Sequence, residues 1–223
     1  MHPFATPPYL VESDAPSSVV GRDERRVLAR ILAPEVRLVV YRRPAAPAIT
    51  RGLDRLIADG TLASSLRLTA TVGHPVTLPG VRDRSDVAEW LADLAHLIEI
   101  HGQLCGCARV GLRVEVVDRA LCPRFHTDRA GIRLLCTYRG PATEWLDDRF
   151  ADRTRLGVNG HGLTDEESGL IRDPAAVRRL PLFAIALLKG EAWPGNAGHG
   201  LIHRSPAVPA GEGPRVLVAL DAR

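Results

Sequence analysis

Aromatic side chains are scarce, with three Trp, three Tyr and four Phe among 223 residues. So small a stock argues against a surface that stacks the bases of single-stranded nucleic acid. An excess of either charge is also missing. Lys plus Arg total 29 against 26 Asp plus Glu, a formal net charge of +3, and the arginines are scattered instead of forming a stripe. A nucleic-acid interface draws most of its affinity from clustered cations neutralising phosphates, so that class is excluded. No run approaches the roughly eighteen consecutive apolar residues of a membrane span. Met1 to Ser18 carry neither a basic nor an apolar segment, so no signal peptide is expected and the protein is placed in the cytoplasm. Cysteine is limited to Cys105, Cys107, Cys122 and Cys136, expected there as reduced thiols and not as a disulfide scaffold.

What remains is an ordinary globular balance, 45% hydrophobic and 25% charged, on a chain long enough to bury a substantial core. Residues 1–20, rich in Pro, Ser and Ala, read as a flexible tail or surface strap. Residues 21–108 read as a mixed α/β layer. A short helix is expected over Asp23–Ile31 and a strand over Val36–Tyr41. Helical spacing of Ile49, Leu53, Leu56 and Ile57 runs to a stop at Asp59-Gly60, and a strand and turn follow in 66–79. Ser85-Asp86 is positioned to cap an amphipathic helix through Val87, Trp90, Leu91, Leu94, Leu97, Ile98 and His101, ending at Gly102.

From residue 109 the periodicity changes to that of strands. Val110–Val117, Leu121–Asp128, Ile132–Tyr138, Gly200–His203 and Pro214–Leu220 read as extended segments. Leu182–Leu188 is continuously apolar, as a strand covered on both faces would be. The polar stretch 150–175 contains one expected short helix, Glu166–Ile171. The fold class is therefore α+β, with an N-terminal helical layer packed on a cupin-like β-barrel over residues 109–223.

The chemistry-bearing signal is His126-Thr127-Asp128. Alternate residues of a strand share a face, so an imidazole and a carboxylate at this spacing can share one metal ion. They supply two ligands of the facial triad used for non-haem iron. A third ligand must come from a distant strand. His161 and His199 lie in Gly-rich irregular stretches, whereas His203 follows the apolar pair Leu201-Ile202 and precedes the turn Arg204-Ser-Pro206. His203 is the expected third ligand. Arg215 opens the last strand on the same face as Leu217 and Ala219. An inward-pointing guanidinium needs an anion, either an acidic side chain or a bound carboxylate such as a dicarboxylate ligand.

This order, His126-x-Asp128, then His203, then Arg215, resembles the Fe(II)- and 2-oxoglutarate-dependent oxygenases. Their double-stranded β-helix, a jelly-roll barrel, carries H-x-D…H for iron and a basic residue on the last strand for the co-substrate. The resemblance implies that His126, Asp128 and His203 bind Fe(II), and that Arg215, or Lys189 in its place, anchors 2-oxoglutarate. A resemblance covering more of the chain lies in Cys122–Asp128, Leu134–Pro141, Thr143–Leu146, Leu188–Glu191 and His203–Pro206. Through these motifs the chain is similar to DUF1826, a bacterial family of unknown function. That resemblance implies a second outcome, a non-enzymatic Zn(II)-binding protein of zinc homeostasis working with a metallochaperone GTPase. Cys122, in step with His126, would then be an alternative soft ligand. Cys105 and Cys107 with His101 offer a further zinc donor set. Arg124 and Arg133 flank the H-x-D turn as possible anion contacts or solvated charges. Thr143-Glu144-Trp145 reads as a pocket wall, with Trp145 as core, and Trp193–Asn196 as a tight turn at the barrel mouth.

Overall fold

Two apolar clusters on opposite faces of one large sheet organise the chain. The computed structural model describes residues 9–14, 22–81, 84–157 and 162–223. Its N-terminal half contains β1 (Leu10–Asp14), α1 (Arg22–Leu28), β2 (Leu38–Arg42), α2 (Pro47–Ala58), β3 (Leu66–Thr71) and α3 (Ala88–Cys105). The C-terminal half contains β4 (Arg109–Val117), β5 (Ile132–Arg139), β6 (Glu144–Leu146), β7 (Val177–Arg179), β8 (Ile185–Lys189), β9 (His203–Arg204) and β10 (Arg215–Ala222).

Among the described residues seven strands form the large sheet in the order β1-β2-β8-β5-β10-β4-β3, and three form a small sheet, β7-β6-β9. Only β1 and β2 run parallel within the large sheet. Period-2 alternation decides the faces. Leu134, Cys136, Tyr138, Ile185, Leu187, Val216, Val218 and Leu220 pack outward against Trp90, Leu94, Leu97 and Ile98 of α3 and Leu53 and Leu56 of α2. Leu135, Ala186, Leu188, Leu217 and Ala219 point inward, where Trp145 and Leu201 meet them from the small-sheet side. Burying each Leu, Ile or Val side chain contributes about 1.5–3 kcal/mol. The outer face of the small sheet is sealed by Phe125, Leu146, Leu170 and Ile202, so Phe150, Ala151, Leu156 and Leu170 of the polar stretch help to cover it.

Several sequence expectations are corrected. Part of the expected tail is β1, whose Leu10 pairs with Leu38; its other residues to 8, and 15–20, lie outside the described residues. β1, β2 and β3 join the same sheet as the C-terminal strands, so the N-terminal half is more than a helical layer. The helix expected to end at Gly102 continues to Cys105. Gly102 is there for close packing, since an added Cβ would lie 3.0 Å from the Cys107 carbonyl, and Gly106 at φ 64° is the terminator. Asp86 does not cap α3, because Arg84 holds its carboxylate through two bonds of 3.1 and 2.8 Å. Over Glu166–Ile171 a reciprocal box closes one turn: Thr164 N–H donates to Glu167 at 3.0 Å, and Glu167 N–H to Thr164 Oγ1 at 3.2 Å. Gly169 at φ 78° stops it before a helix forms. The run expected from Leu182 pairs only from Ile185, after a turn in which Phe183 adopts φ 61°. Of the extended segment 121–128, only His126 makes a bridge. No helix among the described residues is long and apolar enough to cross a membrane.

Candidate metal centre

His126 and His203 stand directly opposite each other. Each donates its backbone N–H to the other's carbonyl at 3.0 Å, the pattern of an antiparallel hydrogen-bonded pair. Their side chains therefore leave the backbone on one face, and the ring centroids lie 4.5 Å apart with planes inclined by 47°. β9 is held on its other side by β6, where Trp145 faces His203. Asp128, two residues after His126, returns to the same side.

Each ring has one nitrogen committed. His126 Nδ1 lies 2.9 Å from the Arg124 carbonyl and His203 Nδ1 lies 3.0 Å from the Leu201 carbonyl. A carbonyl only accepts, so Nδ1 carries the proton and the Nε2 lone pair is left for another partner. Asp128 Oδ1 accepts a bond from Arg133 Nη1. Its Oδ2 is buried without a hydrogen-bond donor and lies 3.4 Å from His203 Nε2. One ligand atom from each of the three residues falls within 4.8 Å of the other two. An orphaned buried carboxylate oxygen is costly unless a cation meets it, so two imidazoles and one carboxylate fit a divalent metal.

The electrostatics suit the same role. Burial opposes ionisation of Asp128, but His203, Arg133 and His126 outweigh it and hold the carboxyl well below its usual range. Burial, reinforced by the neighbouring His203, lowers the His126 pKa and favours the neutral ring that ligates.

The loop carrying Asp128 is fixed by the turn after β8. Gly190 N–H donates to Gly131 at 2.8 Å and Glu191 N–H to the Asp128 carbonyl at 2.7 Å. A Cβ on Gly190 would sit 2.7 Å from the Asp128 carbonyl and closer still to that of Ala130, so only glycine fits. The Glu191 carboxylate accepts the N–H groups of Gly198 and of Gly200, the latter at 3.1 Å, securing the approach to His203.

Arg215 is 1% exposed and lies on the inward face with Leu217 and Ala219. Its Nη2 donates to Thr143 Oγ1 at 2.9 Å, while Nε and Nη1 have no hydrogen-bond partner among the described residues. Burial lowers its pKa to about 10, against the attraction of Glu115, so it stays charged at neutral pH. Gly140 at φ 74° gives the strand room, because its Cβ would be 3.0 Å from Arg215 Cα. Thr143 precedes by two residues Trp145, the cross-strand partner of His203. The start of β6 therefore links the residue that holds Arg215 to the pairing partner of His203.

Lys189 lies on the other face, in step with Ile185 and Leu187. Its Nζ donates to the Ala33 carbonyl at 2.7 Å and stands over the Trp193 ring. It is turned from the inward side that Arg215 occupies. Cys122 is exposed and outside the donor group. Cys105 Sγ approaches His101 Nε2 at 3.7 Å, but with Cys107 they form no converging group of three among the described residues. His199 is exposed in a turn, and His161 lies outside the described residues. Arg124 pairs with Asp165 at 3.6 Å, and Trp145 is buried core as expected.

The whole pattern can be set against known proteins. A family model described as "Protein of unknown function (DUF1826)" matches residues 22–221. The chain belongs to the DUF1826 family. No curated protein matches this DUF1826 chain. Among solved structures it is similar to the rice dioxygenase for auxin oxidation, with TM-score 0.53 and 14% identity over 96% of this chain and 82% of that one. It is also similar to dioxygenase for auxin oxidation 1 from Arabidopsis thaliana, solved in a binary complex with 2-oxoglutarate. There the TM-score is 0.52 at 10% identity over 96% and 92% of the two chains. At these identities the likeness is one of fold alone: a mixed α+β arrangement shared with those two structures and compatible with a jelly roll.

Sequence reasoning missed three contributors. The sequence marks Thr143 only as a wall residue, gives Glu191 no role and offers Arg133 as an anion contact or a solvated charge, whereas Arg133 holds Asp128. Signals for Thr143 and Glu191 lay in the motif blocks Thr143–Leu146 and Leu188–Glu191. Nothing local in the sequence marks the Arg133 contact.

Proposed function

We propose that this chain is an Fe(II)- and 2-oxoglutarate-dependent oxygenase that hydroxylates a substrate still to be identified. The observation that carries the proposal is Arg215, a charged guanidinium at 1% exposure whose Nε and Nη1 have no hydrogen-bond partner among the described residues. A buried cation without an anion is unfavourable, and a ligand carboxylate accepted by its planar fork resolves that. Glu115 attracts it from β4, but Glu115 forms its salt bridge with Arg67 and no carboxylate among the described residues is within ion-pair distance of Arg215, which supports a bound acid over an internal ion pair. The strand order supports the same reading. β4-β10-β5-β8 faces β7-β6-β9, extended by the bridge at His126, as in a double-stranded β-helix.

In this reading His126, Asp128 and His203 hold iron, and their donor set without a thiolate suits Fe(II) better than a zinc store. When bound, iron would supply the oxidising chemistry, with O₂ as the oxidant and the keto acid as the co-substrate oxidised together with the substrate. The protein's part is to orient the two imidazoles through Nδ1, to present Asp128 Oδ2, and to orient the distal carboxylate on Arg215 and Thr143. The inward cluster around Trp145, Leu201 and Leu217 keeps the surroundings dry.

The test is anaerobic reconstitution with Fe(II) followed by 2-oxoglutarate, watching for the visible charge-transfer band of a chelated keto acid. The band is expected in the wild type and absent in H203A, and in R215A it needs far more 2-oxoglutarate. A wild type that binds Fe(II) yet never shows the band overturns the proposal.

A further inference from the structure

Arg133 touches more than the candidate ligand. On β5 it stands directly opposite Asp221 of β10 and binds that carboxylate through two groups, Nε to Oδ1 at 2.7 Å and Nη2 to Oδ2 at 3.1 Å. Its remaining arm, Nη1, reaches Asp128 Oδ1. Asp221 is braced from the other side by Arg113 of β4, at 3.0 Å. A chain of ion pairs across three adjacent strands of the large sheet therefore ends on one oxygen of Asp128. The other oxygen, Oδ2, is left buried, unpartnered and turned toward His203.

We propose that Arg133, oriented by Asp221, is a positioning residue that makes Asp128 a one-oxygen metal ligand by occupying Oδ1 and presenting Oδ2. The inference rests on reading His126, Asp128 and His203 as a metal site. A guanidinium beside a metal ligand also repels the ion. Here the two bonds to Asp221 offset that charge, so the main contribution of Arg133 is orientation. The carboxylate is fixed before the ion arrives, and the ion does not have to freeze a side chain that could bind through both oxygens. The clamp also ties the ligand to β10, the strand that carries Arg215 at its other end.

The experiment titrates the full-length metal-free protein with Co(II), reading affinity and the visible d–d spectrum, with circular dichroism confirming the fold of each variant. R133Q is expected to weaken Co(II) binding about 10- to 100-fold and to change the spectrum. R133K keeps the charge but cannot grip Asp221 with two groups while holding Asp128, so it is expected to behave like R133Q. D221N keeps the shape at Asp221 and tests the clamp if R133Q folds poorly; a fall in affinity and an altered spectrum are expected again. Wild-type affinity and spectrum in folded R133Q or D221N, with binding lost in H203A, overturn the clamp and leave the metal site standing. Full rescue by R133K overturns it in favour of a pure charge effect. If the wild type does not bind Co(II), or H203A binds as tightly, the metal site fails and this inference with it.

Discussion

His126 and His203 repeat one geometry on two segments: each exchanges backbone bonds with the other at 3.0 Å, and each turns its Nδ1 to the carbonyl two residues before it. The bridge fixes where both rings start and the carbonyls fix how they are turned. Replacing either histidine by alanine is expected to remove stoichiometric Fe(II) or Co(II) retention while leaving the fold intact, since the backbone bridge survives the substitution. Metal content after gel filtration, beside a circular dichroism spectrum, measures both.

Arg215→Met separates ligand binding from stability. Without co-substrate, the variant exchanges an unpaired buried cation for an apolar chain of similar reach. Its stability is expected to equal or exceed the wild type by up to about 2 kcal/mol. The wild type should gain about 2.7 kcal/mol from 2-oxoglutarate at a hundred times its dissociation constant, and R215M should gain none. Thermal melts of the metal-loaded proteins with and without 2-oxoglutarate provide the comparison. A marked loss of stability in ligand-free R215M would show that Arg215 is a structural residue.

Gly190→Ala is expected to damage the site from outside it. The new methyl meets the backbone carbonyls of Ala130 and Asp128, neither of which can rotate aside. The Asp128 loop must move, at a cost of about 1–3 kcal/mol and with weakened metal binding. Chemical denaturation gives the first quantity and metal titration the second. Alanine at Gly200, which meets the Glu191 carboxylate and Thr127, should act in the same direction.

Far from the site, His96 and the buried Glu24 predict a pH dependence of stability. His96 Nε2 lies 3.1 Å from Glu24 Oε2, and that bond, opposed by burial, raises the His96 pKa above its ordinary value near 6.5. The raised value means the folded state holds the proton more tightly than the unfolded chain. The contribution is fully present below the unfolded pKa and is lost as pH rises through the folded one. Urea midpoints measured from pH 5.5 to 8.5 should fall more steeply for the wild type than for H96Q. Parallel curves would remove His96 from the account.

Much of the fold was legible because its signals are local. β4, β5 and β10 follow from alternation within each segment, α2 and α3 from helical spacing, and the buried run at β8 from continuous apolarity. The misreadings came where a neighbour overruled the local pattern. Arg84 took Asp86 away from its capping role, Val72 and Cys107 demanded Gly102 inside the helix, and the pairing with β2 drew Leu10–Asp14 out of an apparent tail. β6 and β7 are three residues each, too short for any period to register.

The sequence by itself pointed to His126 and Asp128 sharing a side, because residues two apart in an extended segment do so, although only His126 is paired in the sheet. It also placed Arg215 on the face of Leu217 and Ala219. Tertiary structure alone decided that His203 meets them, that Lys189 faces the helices while Arg215 faces inward, and that Arg133 reaches both Asp128 and Asp221. Those relations depend on the register between strands distant in sequence. A one-residue slip in that register would turn every side chain to the opposite face, and it is set by the packing of the whole sheet.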